Sequence, residues 1–172
     1  MERDAPRWST REHETDAGAV ESRQWIRLPR ALVAPDAAGA RELGRRYLDE
    51  VAGFSHGLVR PRPKGDGVAL VLAGIVPLLR FAPPRIGHED GAVTCEYPID
   101  GGLLVARPGG SLLVAQRGGV ELELLVEGYF PRLGGSTRRR SLRRALYTAL
   151  QARAHRSVGR RFLERAVEEV DA

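Results

Sequence analysis

Lysine, asparagine and cysteine are almost missing from this chain of 172 residues: Lys64 is its one lysine, Cys95 its one cysteine, and asparagine does not occur. A single cysteine excludes an internal disulfide. The four histidines, His13, His56, His88 and His155, stand apart with no H-x-x-x-H or C-x-x-C spacing, so no metal site and no cofactor is expected. The longest apolar run, Val68 to Leu79, has 12 residues and is broken by Gly74 and Pro77, whereas a spanning helix needs about 20; no transmembrane segment is expected. The opening residues MERDAPRWSTREHETDAG lack the apolar core of a signal peptide, which makes a reducing, cytoplasmic setting the expectation.

The basic residues number 27 against 22 acidic ones, for a net charge of +5 and an isoelectric point near 10.1. Such a balance ordinarily suggests nucleic acid. Here all basic residues but Lys64 are arginine, a bias that a GC-rich bacterial genome imposes by codon usage, so the count reports the genome more than a partner. Apolar residues make up 42% of the chain, enough for one domain to bury a core without staples.

What the chain has is glycine-punctuated strand pattern. From Gly91 to Leu133, short apolar runs are separated by Gly109-Gly110 and Gly118-Gly119, which suit hairpin turns. With Gly118 and Gly119 as a two-residue loop, Arg117 opposes Val120, Ala115 opposes Leu122, Leu113 opposes Leu124 and Ser111 opposes Val126. That register predicts one apolar face, joined by Leu103 and Val105, and one solvated face carrying Gln116, Glu121, Glu123 and Glu127. Val93, Cys95, Tyr97 and Ile99 share one parity in a strand leading in. Asp100-Gly101-Gly102 then either turns the chain or bulges it, a turn being the favoured reading.

Residues 1–22 are polar and read as a disordered or loosely attached arm in which Trp8 either stays exposed or docks. Residues 23–172 read as a single α+β domain. Gln24 to Leu28 predicts a strand, and Asp36 caps a helix with Ala40, Leu43, Tyr47, Leu48 and Val51 on its buried face, Arg41, Arg45, Arg46, Asp49 and Glu50 in water, and Gly53 just past its end. A strand is possible around Leu58 and Val59, Lys64-Gly65-Asp66-Gly67 turns, and Val68 to Ala73 reads as a central strand that Leu78 to Phe81 continues past a bend near Gly74 and Pro77. Gly87 to Gly91 reads as a loop. A long helix is predicted over about 141–170, capped by Ser141, with a stripe of mostly small residues, Leu142, Ala145, Ala149, Ala152, Gly159, Leu163, Ala166 and Val170, that permits close approach to the sheet.

No catalytic constellation is read from the spacing. Cys95 shares the parity of buried neighbours and reads as a small apolar residue rather than a nucleophile. The glycine pairs precede strand residues, not a helix N-terminus, and so are turns rather than phosphate loops. The arginines from Arg138 to Arg165 spread around the helix, lack aromatic companions and are balanced by Glu164, Glu168, Glu169 and Asp171, which describes a solvated basic helix better than a specific nucleic-acid interface. Arg156 stands out because it falls in the apolar stripe, where a cation must snorkel, pair, or face a cavity.

Strand (Gln24 to Leu28), helix (Asp36 to Ala52), antiparallel sheet (Gly67 to Phe130) and long final helix (from Ser141) resemble, by layout, the helix-grip fold of the START-like (SRPBCC, polyketide cyclase-like) superfamily. The resemblance implies about five to seven antiparallel strands gripping the C-terminal helix, with a cavity between them for a small hydrophobic molecule. It implies a binding domain more than an enzyme, with Arg156, Tyr97 and His56 as candidate ligand-contacting groups. The alternative is a nucleic-acid or anionic-surface binder acting through the arginine-rich helix.

Overall fold

The computed structural model describes the backbone of residues 9–14, 19–131 and 140–172 and the side chains of 9–13, 19–131 and 153–172. Its elements are β1 (Ser9–Glu14), β2 (Val20–Arg27), α1 (Ala37–Phe54), β3 (Val59–Lys64), β4 (Gly67–Leu72), β5 (Val76–Phe81), β6 (Arg85–Glu89), β7 (Ala92–Gly101), β8 (Ser111–Arg117), β9 (Glu121–Tyr129) and α2 (Arg140–Asp171). The strands form one antiparallel sheet in the order β1, β2, β9, β8, β7, β5, β4, β3. β7 is long enough to take β8 on one edge and to share the other between β6, along Ala92 to Glu96, and β5, at Ile99 and Gly101. The architecture is therefore α+β, an open antiparallel sheet with a long C-terminal helix.

The described residues make nine strands, two more than the upper end of the sequence expectation. Ser9–Glu14, assigned to an arm by composition, pairs with β2 from Ser9 opposite Trp25 to Glu14 opposite Val20. An edge strand needs backbone hydrogen bonds on one side only, so a polar stretch forms one without any apolar alternation. Trp8 lies outside the described residues. The stretch read as a loop at Gly87 to Gly91 is mostly β6 and its turn, in which Asp90 and Gly91 both take positive φ (49° and 72°). At the opposite edge, Pro61 and Pro63 sit in β3, where missing amide donors cost nothing on the outer side.

The register of β8 and β9 differs by one residue from the two-residue-loop expectation. Gly118, Gly119 and Val120 together form the loop, with Val120 N donating to Arg117 O at 3.1 Å, and Arg117 opposes Glu121, Val114 opposes Leu124 and Leu112 opposes Val126. Four consecutive apolar residues, Leu112 to Ala115, fit either parity, so the pattern in β8 does not choose. The choice is made across the sheet, where Leu112 and Val114 align with Tyr97 and Cys95 of β7. The inner face is thus Val93, Cys95, Tyr97 and Ile99, then Leu112, Val114 and Gln116, then Leu122 and Leu124, then Ser22, Gln24 and Ile26, all buried. Leu113 leaves the buried set, Leu103 is 49% exposed, and Val105 is buried through an isolated bridge to Pro131. Residues 102–110 are a connection between β7 and β8 instead of a strand and hairpin.

Two polar residues assigned to the solvated face are buried. Gln116 accepts from Leu32 N (2.7 Å) and Val33 N (3.1 Å) and donates to Val33 O (3.0 Å), pinning the chain between β2 and α1. Glu123, 2% exposed, lies between Arg23 and Arg117 on the outer face.

Asp36 caps α1, its carboxylate accepting from Gly39 N at 2.7 Å. The helix runs through Gly53 to Phe54, and the left-handed residues are His56 and Gly57 (φ 52° and 77°). Gly44 lets α1 lie against β7, because a Cβ there would stand 2.4 Å from Cys95 Sγ and 2.6 Å from the Tyr97 hydroxyl. Along α2, Ser141 lies within the first turn of the helix. Gly159, Leu163, Ala166 and Val170 are buried as the stripe predicts, joined by Val158 and Phe162; the stripe's Leu142, Ala145, Ala149 and Ala152 lie outside the described side chains. Phe162 meets Tyr47 edge to face at 5.6 Å. Glu50, expected in water, is 6% exposed and joins the helices by pairing with Arg161 (2.7 Å) and Arg165 (2.9 Å).

Candidate functional site

The three candidates read from the sequence occupy three separate places. His56 is exposed in the turn after α1. Tyr97 is 6% exposed beneath Gly44, its hydroxyl beside the Cys95 thiol, and burial raises the pKa of both. Cys95 itself is 1% exposed, which accounts for it as core. Arg156 does not point into the domain: its side chain is 48% exposed and its guanidinium engages both carboxylate oxygens of Glu12 on β1. Between β1, which Arg156 reaches, and β7, which carries Tyr97, stand β2, β9 and β8, so the two residues do not share a site.

A different group converges beneath α2. Ser22 and Gln24 alternate inward from β2 with Ile26, and Gln24 lies under Gly159, where a Cβ would stand 2.6 Å from its Nε2 and 2.7 Å from its Oε1. His155 is one helical turn before Gly159 and shares its face. Arg156 reaches Glu12, and Glu12 is the cross-strand partner of Ser22, which sets this turn of α2 level with Ser22. Ser22 Oγ, both amide atoms of Gln24 and His155 Nε2 are enclosed and have no hydrogen-bond partner among the described residues. Burial pushes the His155 imidazole down to about 4, against the opposing pull of the Glu12 carboxylate, so the ring is neutral at pH 7. Around Gln24 the walls are apolar, with Leu124 against Gly159 and Ile26 next inward along β2, while the Glu12 carboxylate borders His155.

Sequence reasoning missed this group because Ser22 fell in the supposed arm and Gln24 and His155 were weighed singly. The available signal was the pairing of a polar residue at two successive inward positions of β2 with a histidine four residues from the stripe glycine.

Between α1 and α2 lies a groove of about 350 Å³ bordered by Leu32, Glu42, Arg46, Asp49, Arg165 and Glu169. Its charges are mutually satisfied, with Arg46 paired to Glu42 at 2.8 Å and to Glu169 at 2.6 Å. Among the described residues no cluster of three or more His, Cys, Asp or Glu is arranged to hold a metal ion, and no helix is long and apolar enough to cross a membrane. Comparison of the chain with protein-family models, with curated proteins and with solved structures finds no match in any of the three.

Proposed function

We propose that the protein binds a small, largely apolar molecule bearing an uncharged hydrogen-bonding group, admitted between β2 and α2 when α2 lifts from the sheet, since Gly159 packs directly on Gln24 in the closed state. The observation that carries this reading is the enclosed set Ser22 Oγ, Gln24 Oε1 and Nε2, and His155 Nε2, without partners among the described residues. Buried polar groups are ordinarily satisfied, and ligand sites combine apolar walls with a few convergent polar groups. Hydroxyl, amide and neutral imidazole together offer donors and acceptors without net charge, which selects a neutral group such as a carbonyl, hydroxyl or amide. Arg156, tied to Glu12 at the rim, closes the end of the site. The layout resemblance noted above implies a ligand in the same layer, between sheet and C-terminal helix. The arginine-rich helix is the weaker alternative, since Arg156, Arg160, Arg161 and Arg165 are each paired with a carboxylate.

The test is native mass spectrometry of protein purified from its host, followed by thermal unfolding of wild type and Gln24→Met with any co-purifying compound. A bound neutral molecule whose stabilising effect disappears in Gln24→Met is the expected result. A compound that stabilises both proteins equally places the site elsewhere.

A further inference from the structure

The exposed large aliphatic side chains of the described residues are Leu58, Ile75 and Leu103, at 56%, 82% and 49% exposure. They are far apart in sequence, and backbone hydrogen bonds bring them to one end of the sheet. Ile75 is in the β4–β5 turn, whose Ala73 N donates to Leu58 O at 2.8 Å, while Leu103 N donates to Pro77 O at 2.9 Å on the other flank of that hairpin. The turn itself is left-handed at Ala73 and Gly74 (φ 50° and 75°). Single exposed aliphatics need no account, whereas a cluster of them does.

Cations without carboxylate partners among the described residues line the same sheet edge. On β3, Val59, Pro61 and Pro63 oppose the inward-facing Leu72, Leu70 and Val68, so Arg60, Arg62 and Lys64 lie on the outer face. Arg80 of β5 is in the same cross-strand row as Arg62, with Ala69 between them. Among the described residues none of these four is in an ion pair with a carboxylate; Arg60 makes only a bond to Gly57 O, at 2.8 Å. Arg60 stands beside the aliphatic tip, and Arg62 is about 7 Å further along the strand, inside the screening length of about 8 Å at physiological salt.

We propose that this corner docks the protein on an anionic lipid bilayer, with Ile75, Leu58 and Leu103 entering the acyl boundary and Arg60 and Arg62 meeting lipid phosphates. Aliphatic side chains beside cations suit a bilayer surface, where apolar burial and attraction to anionic headgroups add together. Nucleic acid is disfavoured because the protruding groups offer no aromatic surface on which bases stack. A second copy of the chain is disfavoured because joining two such corners brings their uncompensated cations together.

The experiment is flotation of the full chain with vesicles of phosphatidylcholine alone or with about 30% phosphatidylglycerol, at about 0.15 M salt. Wild type is expected to float with the anionic vesicles and not with the neutral ones. Ile75→Asp and Arg62→Glu, both at exposed positions, are each expected to lower the bound fraction at least tenfold with unchanged unfolding midpoints. Arg27→Glu, an exposed charge reversal on β2, is expected to leave it unchanged. The proposal is overturned if wild type does not float, or if Ile75→Asp floats as wild type does. It is overturned equally by self-association or oligonucleotide binding that depends on Ile75 or Arg62 in the absence of flotation, which assigns the corner to a second copy or to nucleic acid.

Discussion

Gln24→Met separates a binding surface from an ordinary core. Gln24 has no exposed surface, and among the described residues neither of its amide atoms has a partner. Burying a polar group without a hydrogen bond costs about 1–3 kcal/mol. Methionine has nearly the same length and volume, carries no strong donor or acceptor, and adapts to irregular surroundings. The contact with Gly159 is therefore kept while the cost of the enclosed amide is removed. The free protein should gain about 1–3 kcal/mol, and for a chain of this size that raises Tm by about 2–12 °C. The measurement is urea and thermal unfolding on protein purified under denaturing conditions and refolded, so that no host compound accompanies it. The same variant should lose any ligand-dependent rise in midpoint. A loss of about 1 kcal/mol or more would mean that the amide is satisfied in the free fold, and the reasoning that makes β2 a ligand wall would fail.

The register and the half-buried His155, whose Nε2 is enclosed, give two further predictions. Leu124→Ala should cost about 2–5 kcal/mol as a core truncation and Glu127→Ala no more than about 0.5, with Glu123→Ala between them because its carboxylate is enclosed by two arginines; equal shifts in urea midpoint for Leu124→Ala and Glu127→Ala would contradict the register. For His155, the folded pKa near 4 lies below the ordinary value of about 6.5, so the unfolded chain binds the proton first as pH falls. Stability should be fully present above about pH 6.5 and decline toward pH 4, by at most about 3 kcal/mol. Comparing wild type with His155→Gln across that window isolates the effect, and parallel curves would show that the ring is solvated.

The architecture was legible wherever local chemistry is decisive. Asp36 had to cap a helix, since its carboxylate satisfies an amide that nothing else reaches, and Gly159 announced close approach of α2 to the sheet. Parity in β7 was legible because apolar Val93, Cys95, Tyr97 and Ile99 alternate with polar Thr94 and Glu96. It failed in β8, where Leu112 to Ala115 are apolar on both faces and the long-range alignment with β7 decides. A slip of one residue there moved Gln116 from water to the core. β1 was illegible for a related reason: its stability comes from backbone pairing to β2, which leaves no mark on side-chain composition.

The candidate site was less legible than the fold, and Arg156 shows why. A helical wheel treats a stripe as uniformly buried, but a helix crossing a sheet meets its edge at some point, and Arg156 reaches the edge strand β1, where Glu12 receives it in partial solvent exposure. Burial on the wheel was thus the wrong criterion; what matters is which strand lies beneath each turn. Applying that criterion to the neighbouring turn, His155 and Gly159 lie over β2, whose inward residues Ser22 and Gln24 are polar. A charged residue at the rim finds a partner on an edge strand, whereas the polar atoms one strand inward have no partner among the described residues. The same geometry that disqualifies Arg156 as an anchor therefore directs attention to the three uncharged side chains beside it.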